Sequence, residues 1–212
     1  MLWCRRLRLN RRTGLAVLLA GSLVFAFPIS PAVAVPGPGP SEIVQNLYGE
    51  LLDTMQHAQA LGAKGRYQKL EPIIFRTYDV PFMAKLTIGS LWAGLTPDKK
   101  QQAAKAYGRY ITAVYASQFD GYSGEKLEVL GEQKIKRGVL VKSHIIKSNG
   151  DPVTLNYMVH DNEIGWQIRD VYETGTISQL AVQRSDFTQI LRTGGIDGLI
   201  AALNKKADDL QG

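Results

Sequence analysis

The sequence predicts an α+β fold in which helices come first, an antiparallel sheet follows, and further helices end the chain. Apolar residues recur at helical spacing between residues 41 and 119, and four segments that alternate apolar and polar residues follow between 129 and 170. Two more helical patterns occupy residues 176–194 and 197–209. Because neither an internal repeat nor a long linker interrupts this order, we expect one α+β unit with a helical annex.

Residues 1–34 have the pattern of a cleavable export signal. Five Arg residues precede an apolar run of thirteen residues, 15–27, and Ala32-Val33-Ala34 offers small residues where a signal peptidase reads. A membrane-spanning helix needs about 20 apolar residues, so cleavage is favoured over an anchor. We therefore expect a signal peptide over 1–34, a Pro/Gly-rich leader over 35–40 and a domain over 41–212, exported to the periplasm. Arg11-Arg12 leaves the twin-arginine route open beside the general one.

The charge and cysteine content exclude several classes of function. The whole chain has a formal charge of +6, but residues 35–212 hold 20 Lys and Arg against 19 Asp and Glu. Such a balance requires no basic face, so we expect no nucleic-acid partner. The only cysteine, Cys4, lies in the predicted signal, which excludes cysteine catalysis, disulfides and thiolate metal sites from the exported domain.

Four helices are predicted before the sheet, each from a start signal and an apolar stripe. Ser41 is the expected N-cap of the first, and Thr96-Pro97-Asp98 places an N-cap hydroxyl, a proline and an acid at the start of the fourth. Asp79-Val80-Pro81 opens a short third helix that stops near Gly89. The predicted spans are 41–62, 66–78, 79–89 and 96–119.

The four strands predict an antiparallel sheet whose registers follow from the turns. Loops 136–138 and 148–150 fit three-residue hairpins with a left-handed Gly, and a turn at 161–162 would close the third hairpin. A two-residue Asn-Gly turn in the second hairpin would mix polar and apolar faces, because a one-residue shift turns every side chain over. The resulting pairs are Ile135 with Val139, Val141 with Tyr157, Val159 with Ile164, Tyr157 with Trp166, and Leu155 with Ile168.

This register gives the sheet one strongly apolar face. Thr176 and Gln179 then fit a capping box at the start of the helix that follows. The predicted apolar face consists of Val129, Ile135, Val139, Val141, Ile145, Val153, Leu155, Tyr157, Val159, Ile164, Trp166 and Ile168.

Catalytic signatures are scarce. The chain has no Gly-rich phosphate loop, nucleophile elbow or His-Glu-x-x-His helix. His144 and His160 share the polar sheet face but lie several residues apart, so no metal site is expected. Asp170 could be a general base at the rim of an apolar cone, or a structural acceptor of backbone N–H groups. From periodicity alone, the aromatic and methionine residues fit either a filled core or a ligand cavity.

A family resemblance favours the cavity. The segment Asp79-Val80-Pro81-Phe82-Met83-Ala84 is followed by Gly89, Trp92 and Leu95-Thr96, and Trp166-Gln167-Ile168-Arg169-Asp170-Val171 leads the tail. In this order and spacing, residues 41–205 resemble the MlaC family, the toluene-tolerance auxiliary component of ABC lipid transporters. The run 78–86 is most similar to the hopanoid-associated HpnM subgroup. Gln183 departs from the tyrosine of many members.

The resemblance implies a nuclear-transport-factor-like curved sheet of four antiparallel strands, with a mainly helical subdomain around an apolar cavity. It implies a monomeric periplasmic shuttle, without cofactor or catalytic residue, that carries phospholipid or a hopanoid between the membranes. Its expected partners are an inner-membrane complex of an MCE protein with an ABC transporter and an outer-membrane lipoprotein complex. The residues expected to line the cavity are Phe82, Leu86, Trp92, Val114, Leu155, Tyr157, Val159, Trp166 and Ile168.

The sequence pattern, taken without the family resemblance, also allows two other functions. One is an isomerase or hydrolase on the same sheet, with Asp170 or His144 as the base in a compact pocket. The other is a protein adaptor with a filled core and an exposed apolar patch. The volume of the interior separates the carrier from the adaptor.

Overall fold

The computed structural model describes residues 37–212, so the predicted signal peptide lies outside the described residues. Within them, no helix combines the length and the apolar character that crossing a membrane requires. A short 3-10 helix, Gly89–Gly94, joins the third helix to the fourth. The helices are α1 Pro40–Gln56, α2 Ala58–Thr77, α3 Val80–Ile88, α4 Pro97–Gln118 and α5 Gln179–Asp209, and the strands are β1 Lys126–Ile135, β2 Gly138–Ile146, β3 Pro152–Asn162, β4 Gly165–Glu173 and β5 Ile177–Ser178.

The caps of α3 and α4 are those that the sequence predicts. The Asp79 carboxylate accepts a hydrogen bond from the Phe82 backbone N–H at 3.2 Å, and the Thr96 hydroxyl accepts one from the Lys99 N–H at 3.2 Å. The cap of α1 differs, because the helix begins at Pro40 and the Ser41 hydroxyl instead donates to Glu132 at 2.9 Å. Proline at the first helical position needs no N–H partner, which explains the earlier start.

Two glycines with positive φ interrupt the regular geometry of helices. Gly62, with φ of 61°, breaks the helical geometry early in α2, and Gly195, with φ of 60°, breaks α5. The second break agrees with the predicted stop at 194–195. The first predicted helix is wrong at its end, because α1 stops at Gln56 and the helical path resumes at Ala58 before it reaches Gly62.

The sheet has five antiparallel strands in the order β1-β2-β3-β4-β5, one more than predicted. The extra strand contains only two residues and pairs with the end of β4. The register of β2 and β3 is confirmed, with Val141 opposite Tyr157 and Ile145 opposite Val153. Gly150 has φ of 92°, the left-handed conformation that the three-residue loop needs.

The register of β1 and β2 differs from the prediction by one residue. Ile135 lies opposite Gly138, so the loop contains only residues 136–137. Gly138 is needed inside the strand, because a Cβ there would lie 2.2 Å from the Val159 carbonyl oxygen. A bulge between Val129 and Gly131 then shifts the register again and places Val129 opposite Ser143.

The register of β3 and β4 is wrong in the sequence analysis by several residues. The turn lies at Glu163-Ile164, and Val159 pairs with Ile168 instead of Ile164. The Asn162 side chain accepts a hydrogen bond from the Ile164 N–H at 3.0 Å and so stabilises this later turn. Ile164 is therefore 80% exposed at the turn and does not belong to the apolar face.

The start of α5 also differs in its cap. Ser178, not Thr176, is the N-cap, and its hydroxyl accepts a hydrogen bond from the Ala181 N–H at 3.1 Å. The core lies where the helices pack on one face of the sheet. Its largest fully buried side chains are Tyr78, Tyr107, Tyr157, Leu47, Leu51, Leu70, Ile74, Ile168, Leu199, Val44, Val80 and Val141.

Candidate functional site

A cavity of about 630 Å³ lies between the helices and the packed face of the sheet. Helix α4 supplies one wall and strands β2, β3 and β4 the opposite one, while α1 and α3 each contribute a methionine. These elements are remote in sequence, so the tertiary fold creates the cavity. Its apolar and aromatic lining consists of Met55, Tyr78, Met83, Ile111, Val114, Tyr115, Phe119, Ile145, Val153, Leu155, Tyr157 and Val171.

The polar lining of this cavity gathers at one end. It comes from the loop between α4 and β1, the end of β2, the end of β4 and the start of α5. In an antiparallel sheet the start of β1 and the ends of β2 and β4 lie at the same edge, so this end forms the mouth. An apolar interior with a polar mouth suits an amphipathic ligand. The polar residues are Gln118, Asp120, Ser123, Glu125, Lys147, Glu173, Gln179 and Gln183.

Three of the residues that line the cavity are tyrosines whose hydroxyls are buried: Tyr78, Tyr115 and Tyr157. Those of Tyr78 and Tyr115 form a hydrogen bond with each other. The hydroxyl of Tyr157 is buried and lies beside the hydroxyls of Tyr48 and Tyr115. Burial raises the pKa of Tyr115 to about 12 and that of Tyr157 well above its ordinary value, so both stay neutral near pH 7.

Tyr48 and Ser143 form a hydrogen-bonded pair next to Tyr157. The Tyr48 ring meets the Tyr157 ring edge to face, with centroids 5.8 Å apart. The Tyr48 hydroxyl is 2.7 Å from the Ser143 hydroxyl, which in turn donates to the Leu155 carbonyl. The side chain of Tyr157 is thus held in place by packing against Tyr48.

Three of the nine residues predicted to line the cavity do so: Val114, Leu155 and Tyr157. Val159 and Ile168 pair with each other across β3 and β4 and are fully buried in the core. Their side chains belong to the packed interior beside the cavity.

The remaining four predicted residues lie elsewhere. Phe82 and Leu86 line a separate cavity of about 590 Å³ together with Arg169 and Asp170. Trp166 lines a third, of about 950 Å³, beside α1 and α2, and Trp92 lies half-buried against the core. Nine apolar and aromatic lining residues were not among those predicted to line the cavity: Met55, Tyr78, Met83, Ile111, Tyr115, Phe119, Ile145, Val153 and Val171. Of these, Ile111 and Phe119 share the helical stripe of Val114, a signal that the sequence does contain.

Asp170 has a structural role. One carboxylate oxygen accepts hydrogen bonds from the Val171 N–H at 2.8 Å and the Leu180 N–H at 3.2 Å, and the other accepts from the Ser178 hydroxyl at 2.6 Å. The side chain therefore fixes β4 to the start of α5, as the structural interpretation of this residue expects.

His144 lies away from the cavity as well. Its Nε2 is 3.0 Å from a carboxylate oxygen of Glu128 on the neighbouring strand β1. Within residues 37–212, no three His, Cys, Asp or Glu side chains are grouped in a way that could hold a metal ion.

The motif residues of the sequence connect α3 to β4. Asp79 accepts from the Arg169 guanidinium at 2.8 Å, and its backbone N–H donates to the Ile168 carbonyl at 2.9 Å. The Gln167 amide donates to the Tyr78 carbonyl at 3.3 Å, while the Arg169 guanidinium lies 4.1 Å from the centre of the Phe82 ring. These contacts fix the backbone of Tyr78 and so position its side chain in the cavity.

Comparison with known proteins agrees with this architecture. The model of the family described as MlaC protein matches residues 45–205. The fold is similar to that of the phospholipid-binding protein from Ralstonia solanacearum, whose structure was solved in complex with a phospholipid. The two structures share a TM-score of 0.69 at 20% sequence identity, and the match covers 80% of this chain and 97% of that chain.

Proposed function

Because the chain belongs to the MlaC family, we propose that it is a periplasmic lipid carrier that has no catalytic step. It encloses the hydrocarbon of a phospholipid or hopanoid and carries it between the inner and outer membranes as the soluble component of an ABC lipid transport system. The observation that supports this best is the apolar cavity of about 630 Å³ with its polar mouth.

The energetics of transfer require an enclosed site. Exposing one methylene to water costs about 0.8 kcal/mol, so a sixteen-carbon chain needs about 12 kcal/mol of compensation. Side chains on an open surface cannot cover that much hydrocarbon. A cavity of about 150 Å³ accepts a benzene molecule, and the present cavity is about four times larger. This volume supports the enclosure of one acyl chain of that length.

Three further observations support the proposal. The structural neighbour from Ralstonia solanacearum is a phospholipid-binding protein. The N-terminal pattern of residues 1–34 predicts export to the periplasm. The hydrogen bonds of Asp170 occupy both of its oxygens, which argues against the rival hypothesis of a general base. The expected partners are an inner-membrane complex of an MCE protein with an ABC transporter and an outer-membrane lipoprotein complex, which the monomeric carrier would visit in turn.

The test is lipid retention by the purified protein. We expect native mass spectrometry of protein from the periplasmic fraction to show a chain that begins at Val35 and holds a lipid in non-covalent complex. A protein that carries no lipid, and takes up none from phosphatidylethanolamine and phosphatidylglycerol vesicles, would contradict the proposal.

Variants of the cavity wall supply the matched comparison. Val114→Trp and Leu155→Trp place bulk in the cavity, so both should lose most of the bound lipid while they remain folded. Leu86→Trp adds bulk at a side chain that is 37% exposed and lines a different cavity, so it should retain lipid like the wild type. Equal retention by all three variants would show that lipid binds elsewhere.

A further inference from the structure

Four arginines line a groove that runs along the first half of α5, beside α3 and the sheet. The groove, called the arginine groove below, consists of two cavities of about 590 Å³ and about 400 Å³ that share Arg184. Arg137 and Arg169 line the larger cavity, and Arg192 lines the smaller one. Of the four, only Arg169 forms an ion pair within residues 37–212, with Asp79. The other three arginines are exposed, so their charges are available to a partner.

Little negative charge offsets these arginines. Among the described residues, Asp170 is the only Asp or Glu that lines the groove. Its two oxygens already accept hydrogen bonds from the Val171 and Leu180 N–H groups and the Ser178 hydroxyl. A cleft with an excess of positive charge attracts anions, and a guanidinium binds a carboxylate or a phosphate through paired N–H donors. The groove is therefore suited to an anionic partner.

The guanidinium of Arg184 is packed closely where the two cavities meet. It lies against the backbone of Gly89, the C-cap of α3, where a Cβ would be 3.2 Å from a terminal guanidinium nitrogen. Gly89 has φ of 72°, a conformation that favours glycine, and its missing side chain leaves the space that the guanidinium occupies. An arginine that is already positioned loses less side-chain entropy when it binds a partner.

The larger cavity of the groove has an apolar floor. Met158 and Leu180 line it and are only 6% and 5% exposed, whereas Leu86 at its edge is 37% exposed. Apolar side chains that fill such recesses, together with arginines, contribute most of the binding energy in protein interfaces. A matching partner therefore combines carboxylates with a large apolar side chain that enters the groove.

The arginine groove adjoins the mouth of the lipid cavity. On the first turns of α5, Gln179 and Gln183 line the lipid cavity. Leu180 and Arg184 follow them directly in the sequence and line the groove. Because consecutive residues of an α-helix point about 100° apart, the two sites lie on different faces of the same helical turns. A partner in the groove is thus placed beside the opening of the lipid cavity.

A protein segment fits these features better than a bilayer surface does. The mouth beside the groove has three carboxylates and one ammonium group, so an anionic bilayer that reached the groove would be repelled by the mouth. A bilayer is also flat, whereas only a protruding side chain can reach the buried floor of the groove. The charged residues of the mouth are Asp120, Glu125, Glu173 and Lys147.

We propose that the arginine groove is the docking site for a partner protein, and that it binds an acidic segment with at least one large apolar side chain. This inference rests on the proposed lipid-carrying function, whose two membrane complexes are the expected sources of the segment. Because the groove adjoins the mouth, the docked partner is next to the lipid that it receives or delivers.

The experiment measures binding to the inner-membrane and outer-membrane complexes by biolayer interferometry, with each complex in phosphatidylcholine nanodiscs that have no net lipid charge. The groove variant combines Arg137→Glu with Arg184→Glu. The matched control combines Lys64→Glu with Lys206→Glu, which makes the same change in charge at two exposed lysines outside the groove.

We expect the wild type to bind at least one complex, and to bind it more weakly as the salt concentration rises from about 50 to about 300 mM. The groove variant should bind about tenfold or more weakly than the wild type, because like charges then face each other, and the control should stay within about twofold. Leu86→Ala, which shortens the exposed apolar side chain, should weaken binding about three- to tenfold.

Native mass spectrometry of the same preparations separates docking from lipid binding. Both double variants should retain lipid like the wild type, because neither changes the lining of the lipid cavity. The inference would be overturned if the groove variant bound the complexes like the control, if salt left the affinity unchanged, or if a wild type that retains lipid bound neither complex. A wild type that retains no lipid would instead refute the carrier function.

Protein-free vesicles of phosphatidylethanolamine and phosphatidylglycerol test the alternative of a bilayer. We expect the groove variant and the control to sediment with these vesicles equally. If the charge reversal in the groove abolished binding to vesicles and left binding to the complexes intact, the groove would be a membrane-binding surface and the proposal would be wrong.

Discussion

Removal of the Asp170 carboxylate should destabilise the fold, because that group accepts three hydrogen bonds where the sheet meets α5. In Asp170→Ala, the N–H groups of Val171 and Leu180 and the hydroxyl of Ser178 lose their acceptor together. The hydrogen bond from Leu180 is buried and the other two are partly buried, so water can replace the carboxylate only in part.

The loss can be estimated from these contacts. A buried donor left without an acceptor costs about 1–3 kcal/mol, and the two partly buried donors fall near the lower end of that range. The carboxylate also lies beside the N-terminus of α5, where a negative charge contributes about 0.3–1 kcal/mol. We therefore expect Asp170→Ala to lower the free energy of unfolding by about 3–6 kcal/mol. Asp170→Asn, which keeps one acceptor oxygen, should lose about half as much.

Urea unfolding followed by circular dichroism measures both losses, and Asp161→Ala is the control. Asp161 is exposed at the end of β3, so its substitution should change the free energy of unfolding by less than about 0.5 kcal/mol. If Asp170→Ala were as stable as Asp161→Ala, the structural role of Asp170 would be refuted, and the hypothesis of a catalytic carboxylate would return.

Three further changes test the local geometry. Gly138→Ala should lower the free energy of unfolding in urea by about 3 kcal/mol or more, because its Cβ would lie 2.2 Å from the Val159 carbonyl oxygen. Gly150→Ala has open space around its Cβ, so it should lose only the roughly 1–2 kcal/mol that an alanine with positive φ costs. Equal losses in the two variants would contradict this. Burial raises the Tyr115 pKa from 10.0 to about 12, so the stability that this group contributes is complete below pH 10 and is lost as the pH rises towards 12. Its share of the loss at pH 11 is about 1.4 kcal/mol. Because Tyr67, Tyr78, Tyr107 and Tyr157 also have raised pKa values, Tyr115→Phe should still lose stability between pH 8 and 11, but by about that much less than the wild type; an identical loss would contradict this. Thr96→Ala should lower the melting temperature through the loss of about 1 kcal/mol of N-cap bonding, and an unchanged value would show that the cap contributes nothing.

Signals that act within a few residues were enough to predict much of the fold. The caps at Asp79 and Thr96 lie beside the N–H groups that they satisfy, so the sequence contains both partners. The register of β2 and β3 follows from Gly150, because only one loop length aligns the apolar residues of both strands.

The register of β1 with β2 and that of β3 with β4 could not be predicted in the same way. The sequence allows a turn at 161–162, with Asn162 inside it, or a turn at 163–164, with Asn162 at the end of β3. The Asn162 side chain can stabilise either turn, because it can accept a hydrogen bond from a backbone N–H two residues later. The two-residue loop before Gly138 depends on the close approach of the Val159 carbonyl, which belongs to the next strand, β3. Contacts between distant residues decide these cases, and no local pattern reports them.

Which side chains line the cavity also depends on contacts between residues that are distant in the sequence. Phe82 and Met83 are neighbours on a short helix, and size alone favours Phe82 as the wall of a lipid cavity. The structure directs Met83 into the cavity and Phe82 towards Arg169, because the ring packs beneath that guanidinium. The phase of a nine-residue helix is thus fixed by what lies on each side of it, and the sequence of the helix does not contain that information.

The residues that identify the family and the residues that contact the ligand space are largely different. Asp79, Gln167 and Arg169 connect α3 to β4, and they meet the cavity only through the tyrosine whose backbone they hold, Tyr78. Such a connection preserves the cavity whatever it contains, so the motif by itself is compatible with many lipids. Selection among them must come from the residues that line the cavity. A chain that kept the motif but differed at the lining positions Val114 and Leu155 should therefore share the fold and differ in the lipid it carries.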